Sequence, residues 1–177
     1  MITRRALLSS AATAAALPGM LSAAAKPFPK GFLWGAATAG HQVEGNNLNS
    51  DCWLLEHLPE STFAEPSGDA CDHYHLYQHD IHLLGELGFN TYRFSLEWSR
   101  IEPEEGFFSR AELEHYRRVL AACHEAGVTP MVTYSHFTVP RWFALKGGWE
   151  KADAPGRVVI NNRPHVGDPQ AGSGGDG

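Results

Sequence analysis

Two amphipathic stretches of helical length, each followed at once by a run of strand character, constrain this chain more than anything else in it. In the first, Tyr77, Ile81, Leu84 and Gly88 recur at helical spacing, which predicts a helix over residues 69–87 with Asp69 as its cap. In the second, Ser109-Arg110-Ala111-Glu112 forms a capping box, and Leu113, Tyr116, Leu120 and Cys123 make the apolar face. Gly88 and Gly127 stand where a helix stops. Residues 91–98 then alternate Tyr92, Phe94, Leu96 and Trp98 against Arg93, Ser95 and Glu97, the period of a strand. Apolar runs at 32–38 and 129–137 read as strands too. Strands joined by helices of this length pair in parallel, because a parallel neighbour needs a long crossover. The expected fold class is therefore α/β with a parallel sheet.

The two ends differ from this middle. Arg4-Arg5 precede an apolar, alanine-rich stretch, and Ala23-Ala24-Ala25 offer a small-residue cleavage site. Residues 1–25 thus read as an export signal, resembling a twin-arginine signal with a general secretory signal as the competitor. The expected location is periplasmic or secreted. The apolar stretch is too short for a permanent membrane anchor. Residues 155–177 contain Gly-Asp-Pro and Gly-Ser-Gly-Gly-Asp-Gly without amphipathic period, and read as a disordered or frameshifted tail. The folded part is expected over 26–154.

Charge narrows the partners. Two of the 14 basic residues lie in the first 25, leaving 12 against 20 acidic residues, a balance that argues against nucleic acid. Cys52, Cys71 and Cys123 show no zinc spacing and read as thiols, although export would permit a Cys52–Cys71 pair. His75, His79 and His82 share one helix face, a spacing compatible with a metal ion. No carboxylate pattern supports the set, and a solvated polar face is the simpler reading. No metal site and no cofactor are expected.

The segment Phe32-Leu33-Trp34-Gly35-Ala36-Ala37-Thr38-Ala39-Gly40-His41-Gln42-Val43-Glu44-Gly45 resembles the N-terminal signature of glycoside hydrolase family 1. Three further blocks follow in the family's order: residues 92–101 (Tyr-Arg-Phe-Ser-Leu-Glu-Trp-Ser-Arg-Ile), residues 130–137 (Pro-Met-Val-Thr-Tyr-Ser-His-Phe), and Pro140-Arg141-Trp142-Phe143 with Gly147-Gly148-Trp149. The resemblance implies a (β/α)8 TIM barrel, of which this chain would hold about the first three βα units. Such barrels carry their sites at the C-terminal ends of the strands. It implies retaining hydrolysis of β-glycosidic bonds, of β-glucosidase type, on a β-glucoside or related oligosaccharide. It makes Gln42 and His136 ligands of sugar hydroxyls, for which an amide and an imidazole supply both donors and acceptors. It sets Arg93 against the nucleophilic carboxylate, where a fixed cation favours the charged form. Trp34 and Phe137 would shape the pocket. Without the motifs, an arginine in a strand is more often a structural ion-pair partner, and a lone glutamine or histidine an ordinary polar group.

A retaining glycosidase works with two carboxyl groups about 5–5.5 Å apart. By resemblance these are glutamates in an Asn-Glu-Pro and a Glu-Asn-Gly-type motif, and neither motif occurs in the 177 residues. Ile101-Glu102-Pro103 lacks the asparagine, and Glu44, Glu97 and Glu150 belong to family blocks other than the catalytic pair. The expectation is a truncated glycoside hydrolase, inactive alone, arising from a frameshift or premature stop. A non-catalytic sugar-binding remnant is the alternative.

Overall fold

The strand-period runs condense into one parallel sheet of three strands in the computed structural model, which describes residues 27–154. The strands are β1 (Gly35–Ala37), β2 (Thr91–Ser95) and β3 (Thr129–Thr133), in the order β1-β2-β3. Their register sets Ala37 beside Arg93, Arg93 beside Met131, and Ser95 beside Thr133. The expected export signal (1–25) and tail (155–177) lie outside the described residues. Residues 27–32 belong to a short unit of their own, where the Phe32 N–H donates to the Pro29 carbonyl at 3.1 Å.

From β1 the chain passes through two short helices, α1 (Gly40–Val43) and α2 (Asp51–Glu56), before the first crossover helix, α3 (His73–Glu86). After β2 comes a single turn, α4 (Trp98–Ile101), then the second crossover, α5 (Arg110–Glu125). Beyond β3 lie α6 (Arg141–Leu145) and a 3-10 turn over Gly148–Glu150. The helical periods bury the faces they predict. Tyr77 and Ile81 from α3, Tyr116, Val119, Ala122 and Cys123 from α5, and Tyr92 and Phe94 from β2 close one core. Burying a side chain such as Ile81 contributes about 2 kcal/mol. Trp98, Val139, Phe143 and Ala154 form a second apolar cluster.

A polar string ties α3 to the sheet. Asp80 Oδ2 meets His73 Nδ1 at 2.7 Å, His73 Nε2 meets the Tyr92 hydroxyl at 3.2 Å, and that hydroxyl lies 2.6 Å from Thr38 Oγ1. Burial pushes the Tyr92 phenol up to about 12 against the hydrogen bond from Thr38, so it stays protonated and able to donate.

Several sequence boundaries move, each for a local reason. The helix expected from Asp69 begins at His73, because Asp69 is taken elsewhere. Its carboxylate accepts from Asn46 Nδ2 at 2.6 Å, and its carbonyl accepts from the Asp72 N–H at 2.8 Å. Strand β2 stops at Ser95 and not Trp98, since the Glu97 carboxylate caps α4 by accepting from the Ser99 N–H. Strand β3 stops at Thr133, short of Phe137, and β1 covers only the middle of the run at 32–38. The capping box of α5 is half formed: Ser109 Oγ accepts from the Glu112 N–H at 3.3 Å, whereas the Glu112 carboxylate accepts from the Tyr74 hydroxyl at 3.0 Å.

Candidate functional site

The pleat of β2 places Arg93 on the face opposite Tyr92 and Phe94, away from the helix-covered core. There it reaches across to the β3 side. Arg93 Nε donates to Thr133 Oγ1 at 2.8 Å, and Nη1 lies 3.2 Å from His136 Nδ1. The His136 ring in turn lies 4.2 Å from the Phe137 ring. Phe137 is 66% exposed and has a φ of 66°, in the left-handed region that a bulky residue rarely adopts. Strained backbone of this kind clusters where a side chain is held for a purpose.

Gln42 comes from α1, at the other side of the sheet's C-terminal end, and its position is set by buried neighbours. The Gly40 N–H donates to Ser95 Oγ at 2.8 Å. His41 is buried, with Nε2 2.8 Å from Glu56 Oε1 and Nδ1 3.3 Å from Asn47 Nδ2. Glu56 is held further by the Ser67 N–H at 3.0 Å and the Ser67 hydroxyl at 2.8 Å. Burial works against its charge, but the Ser67 and His41 hydrogen bonds outweigh burial and keep it below the usual carboxylate range. Gln42 itself is exposed. It lines a cleft of about 770 Å³ with Phe137, Phe63, His41, Glu56 and Ser67.

Beneath α1 lies a buried polar network. Glu44 accepts from Arg100 Nε at 2.8 Å and from the Tyr116 hydroxyl at 3.0 Å, and the Glu97 N–H donates to that hydroxyl at 3.0 Å. Glu97 accepts from the Thr138 hydroxyl at 2.7 Å and the Ser99 hydroxyl at 2.8 Å. Burial raises the Glu44 carboxyl to about 7, with Arg100 opposing and Glu97 adding to the rise. These contacts tie the end of α1 to α4, α5 and the segment after β3.

Of the residues singled out in the sequence, Arg93 and His136 are therefore in contact, and Gln42 and Phe137 share one cleft. Trp34 is not among that cleft's lining residues. Its backbone N–H donates to Asn90 Oδ1 at 2.8 Å, and the residue is 47% exposed. Glu102 is buried and accepts from Trp98 Nε1 at 2.7 Å and the Gly106 N–H at 2.8 Å, a structural assignment. Glu150 is exposed on the last 3-10 turn. His75 and His82 pair with Asp72 and Glu86 on the surface, and among the described residues no group of three potential ligands is placed to hold a metal ion. Cys52, Cys71 and Cys123 are free thiols, and burial pushes Cys52 and Cys123 up to about 11. Sequence reasoning missed the His41–Glu56–Ser67 clamp and Thr133. His41 sits beside Gln42 in the signature, but Glu56 is 15 residues away and Ser67 further still, in a segment without period.

Comparison with known proteins follows the same residues. The model of glycosyl hydrolase family 1 matches residues 24–160. Beta-glucosidase A of Thermotoga maritima is 41% identical over 131 residues, which is 70% of this chain and 29% of that protein. Among solved structures, beta-glycosidase BGL167 is 65% identical with a TM-score of 0.72, over 74% of this chain and 31% of that one. A beta-glycosidase from Pyrococcus horikoshii is 41% identical with a TM-score of 0.70, over 76% of this chain and 32% of that one. The chain thus spans about three tenths of the length of these relatives.

Proposed function

The chain belongs to glycosyl hydrolase family 1, and from that premise we propose that it is the sugar-recognition end of a retaining β-glycosidase acting on β-glucosides or related oligosaccharides. The observation that carries this reading is the meeting of Arg93 on β2 with His136 on the segment just past β3, beside a cleft lined by Gln42 and Phe137. An amide, an imidazole and an exposed aromatic face suit a sugar ring, which presents hydroxyl donors and acceptors around an apolar face. Arg93 supplies the cation that would keep a nearby carboxylate ionised.

The chemistry itself needs two carboxyl groups flanking the scissile bond. Glu44, Glu56, Glu97 and Glu102 are all buried and hydrogen-bonded within the fold, and Glu65 is the one other carboxyl that lines the cleft, so the cleft offers no free pair. The 177-residue chain is accordingly proposed to be catalytically silent, with the acid/base and nucleophilic glutamates belonging to the remainder of a parent enzyme. Residues 1–25 are proposed as its export signal, on the order of arginines, apolar run and small-residue site.

Recombinant chain incubated with aryl β-glucosides should release no more product than a buffer blank. Clear turnover that disappears in Gln42→Ala would overturn the silent reading. Sequencing the coding DNA onward from codon 150 tests the parent: a frame that resumes with a strand and an Asn-Glu-Pro triplet supports it.

A further inference from the structure

Arg93 does more in this structure than present a charge. Two of its nitrogens are committed: Nε to Thr133 Oγ1 at 2.8 Å and Nη1 to His136 Nδ1 at 3.2 Å. A guanidinium has five N–H donors and no acceptor. Its contact with His136 therefore has one direction: Arg93 donates and Nδ1 accepts. A neutral imidazole whose Nδ1 accepts carries its proton on Nε2. Among the described residues no buried side-chain nitrogen or oxygen lacks a hydrogen-bond partner, and His136 Nε2 has no hydrogen-bonding protein partner, so this N–H is open to solvent.

We propose that Arg93, anchored by Thr133, is a positioning residue that fixes His136 as the Nε2–H tautomer, so that the imidazole donates to a sugar hydroxyl. This deepens the sugar-recognition reading and rests on it. Thr133 lies at the last position of β3, in register with Ser95, so the sheet itself sets where the guanidinium is anchored. Phe137, ring to ring with His136, limits rotation of the imidazole from the other side. The remaining N–H groups of Arg93 stay available for a carboxylate, so the two roles are compatible.

The test needs no sugar. In the ¹⁵N-labelled 177-residue chain, long-range imidazole correlations are recorded at about pH 8.5, above the ordinary histidine range near 6.5. His136 is assigned among the 10 histidines by its loss in His136→Gln. The urea-unfolded chain gives the reference for a mixture of tautomers. The expected result is a single tautomer, with Nε2 protonated and Nδ1 as acceptor. In Arg93→Met, His136 should move to the unfolded reference mixture, and in Thr133→Val part of the way. A wild-type His136 at the unfolded reference, or protonated on Nδ1, overturns the proposal even if Arg93→Met fails to fold. So does an Arg93→Met protein that keeps the single Nε2–H form. A chain that binds no sugar yet shows the locked tautomer loses the sugar reading and keeps this one.

Discussion

Glu44 and His115 set opposing pH dependences on the fold. The Glu44 carboxyl is raised by burial to about 7, so the folded state holds its proton where the unfolded chain has lost it. That contribution lowers stability as pH rises from about 4.5 to about 7. His115, stacked on Tyr74 at 3.9 Å, is pushed down to about 4 by burial and then by Arg118 and Arg100. The unfolded chain takes up a proton there first, so this contribution raises stability as pH rises from about 4 to about 6.5. Each displacement amounts to roughly 3 kcal/mol. Where the windows overlap, the two nearly cancel, and the wild-type melting temperature should be close to level between about pH 4.5 and 6.5. Glu56 acts below that window, its contribution being lost as pH falls beneath the ordinary carboxylate value. Glu44→Gln should unmask the histidine, with a melting temperature that climbs by roughly 5 °C or more across the window. His115→Phe keeps a ring against Tyr74 and should show the reverse slope. Parallel slopes in both variants would show that neither group titrates as its surroundings require.

At the scale of elements, the two crossover helices rest on different footings. Helix α5 has a capping hydroxyl, Ser109, whereas Asp72 at the N-cap of α3 makes no side-chain cap, its carboxylate being paired with His75. Ser109→Ala should therefore cost about 1 kcal/mol, read as a lower urea midpoint at unchanged slope. Asp69→Ala, aimed at the cap the sequence predicts, should leave α3 itself intact. The contrast shows what the sequence could and could not convey. Helical and strand periods are local, and they place α3, α5, β2 and β3 and the faces that meet in the core. Ends depend on partners far along the chain. Asp69 bonds Asn46, and Glu97 receives Thr138, and nothing local announces either pairing. The same division holds at the site. Gln42, Arg93 and His136 stand in recognisable motifs, so their types and order could be read. The contact of Arg93 with Thr133 and His136 could not, because it depends on the register that sets Arg93 beside Met131 and Ser95 beside Thr133.

For the molecule as a whole, the decisive feature is the sheet's two margins. With the order β1-β2-β3, only β2 is paired on both sides among the described residues, so β1 and β3 each leave one row of backbone donors and acceptors without a strand partner. Such rows are templates for another chain's strand. The two margins are unequal. Strand β1 is three residues long, too short to pair strongly, whereas β3 has five. Met131 in β3 is 48% exposed and Tyr134 just beyond it 60%, so apolar surface flanks the longer edge. Self-association through β3 is the expected consequence, and it should grow with concentration, because neither residue has a charge that would repel a second copy. Tyr134→Lys places a charge just past the strand, away from the Met131 position that lies beside Arg93. Light scattering after size exclusion should then report a lower mean mass at a given concentration than for the wild type, with the far-ultraviolet spectrum unchanged. An unchanged mass would move the association away from β3, toward the face where Leu145 and Trp149 are 71% and 52% exposed. Leu145→Lys is then the variant that should separate the copies, since a charge at the true contact is costly and one elsewhere is not.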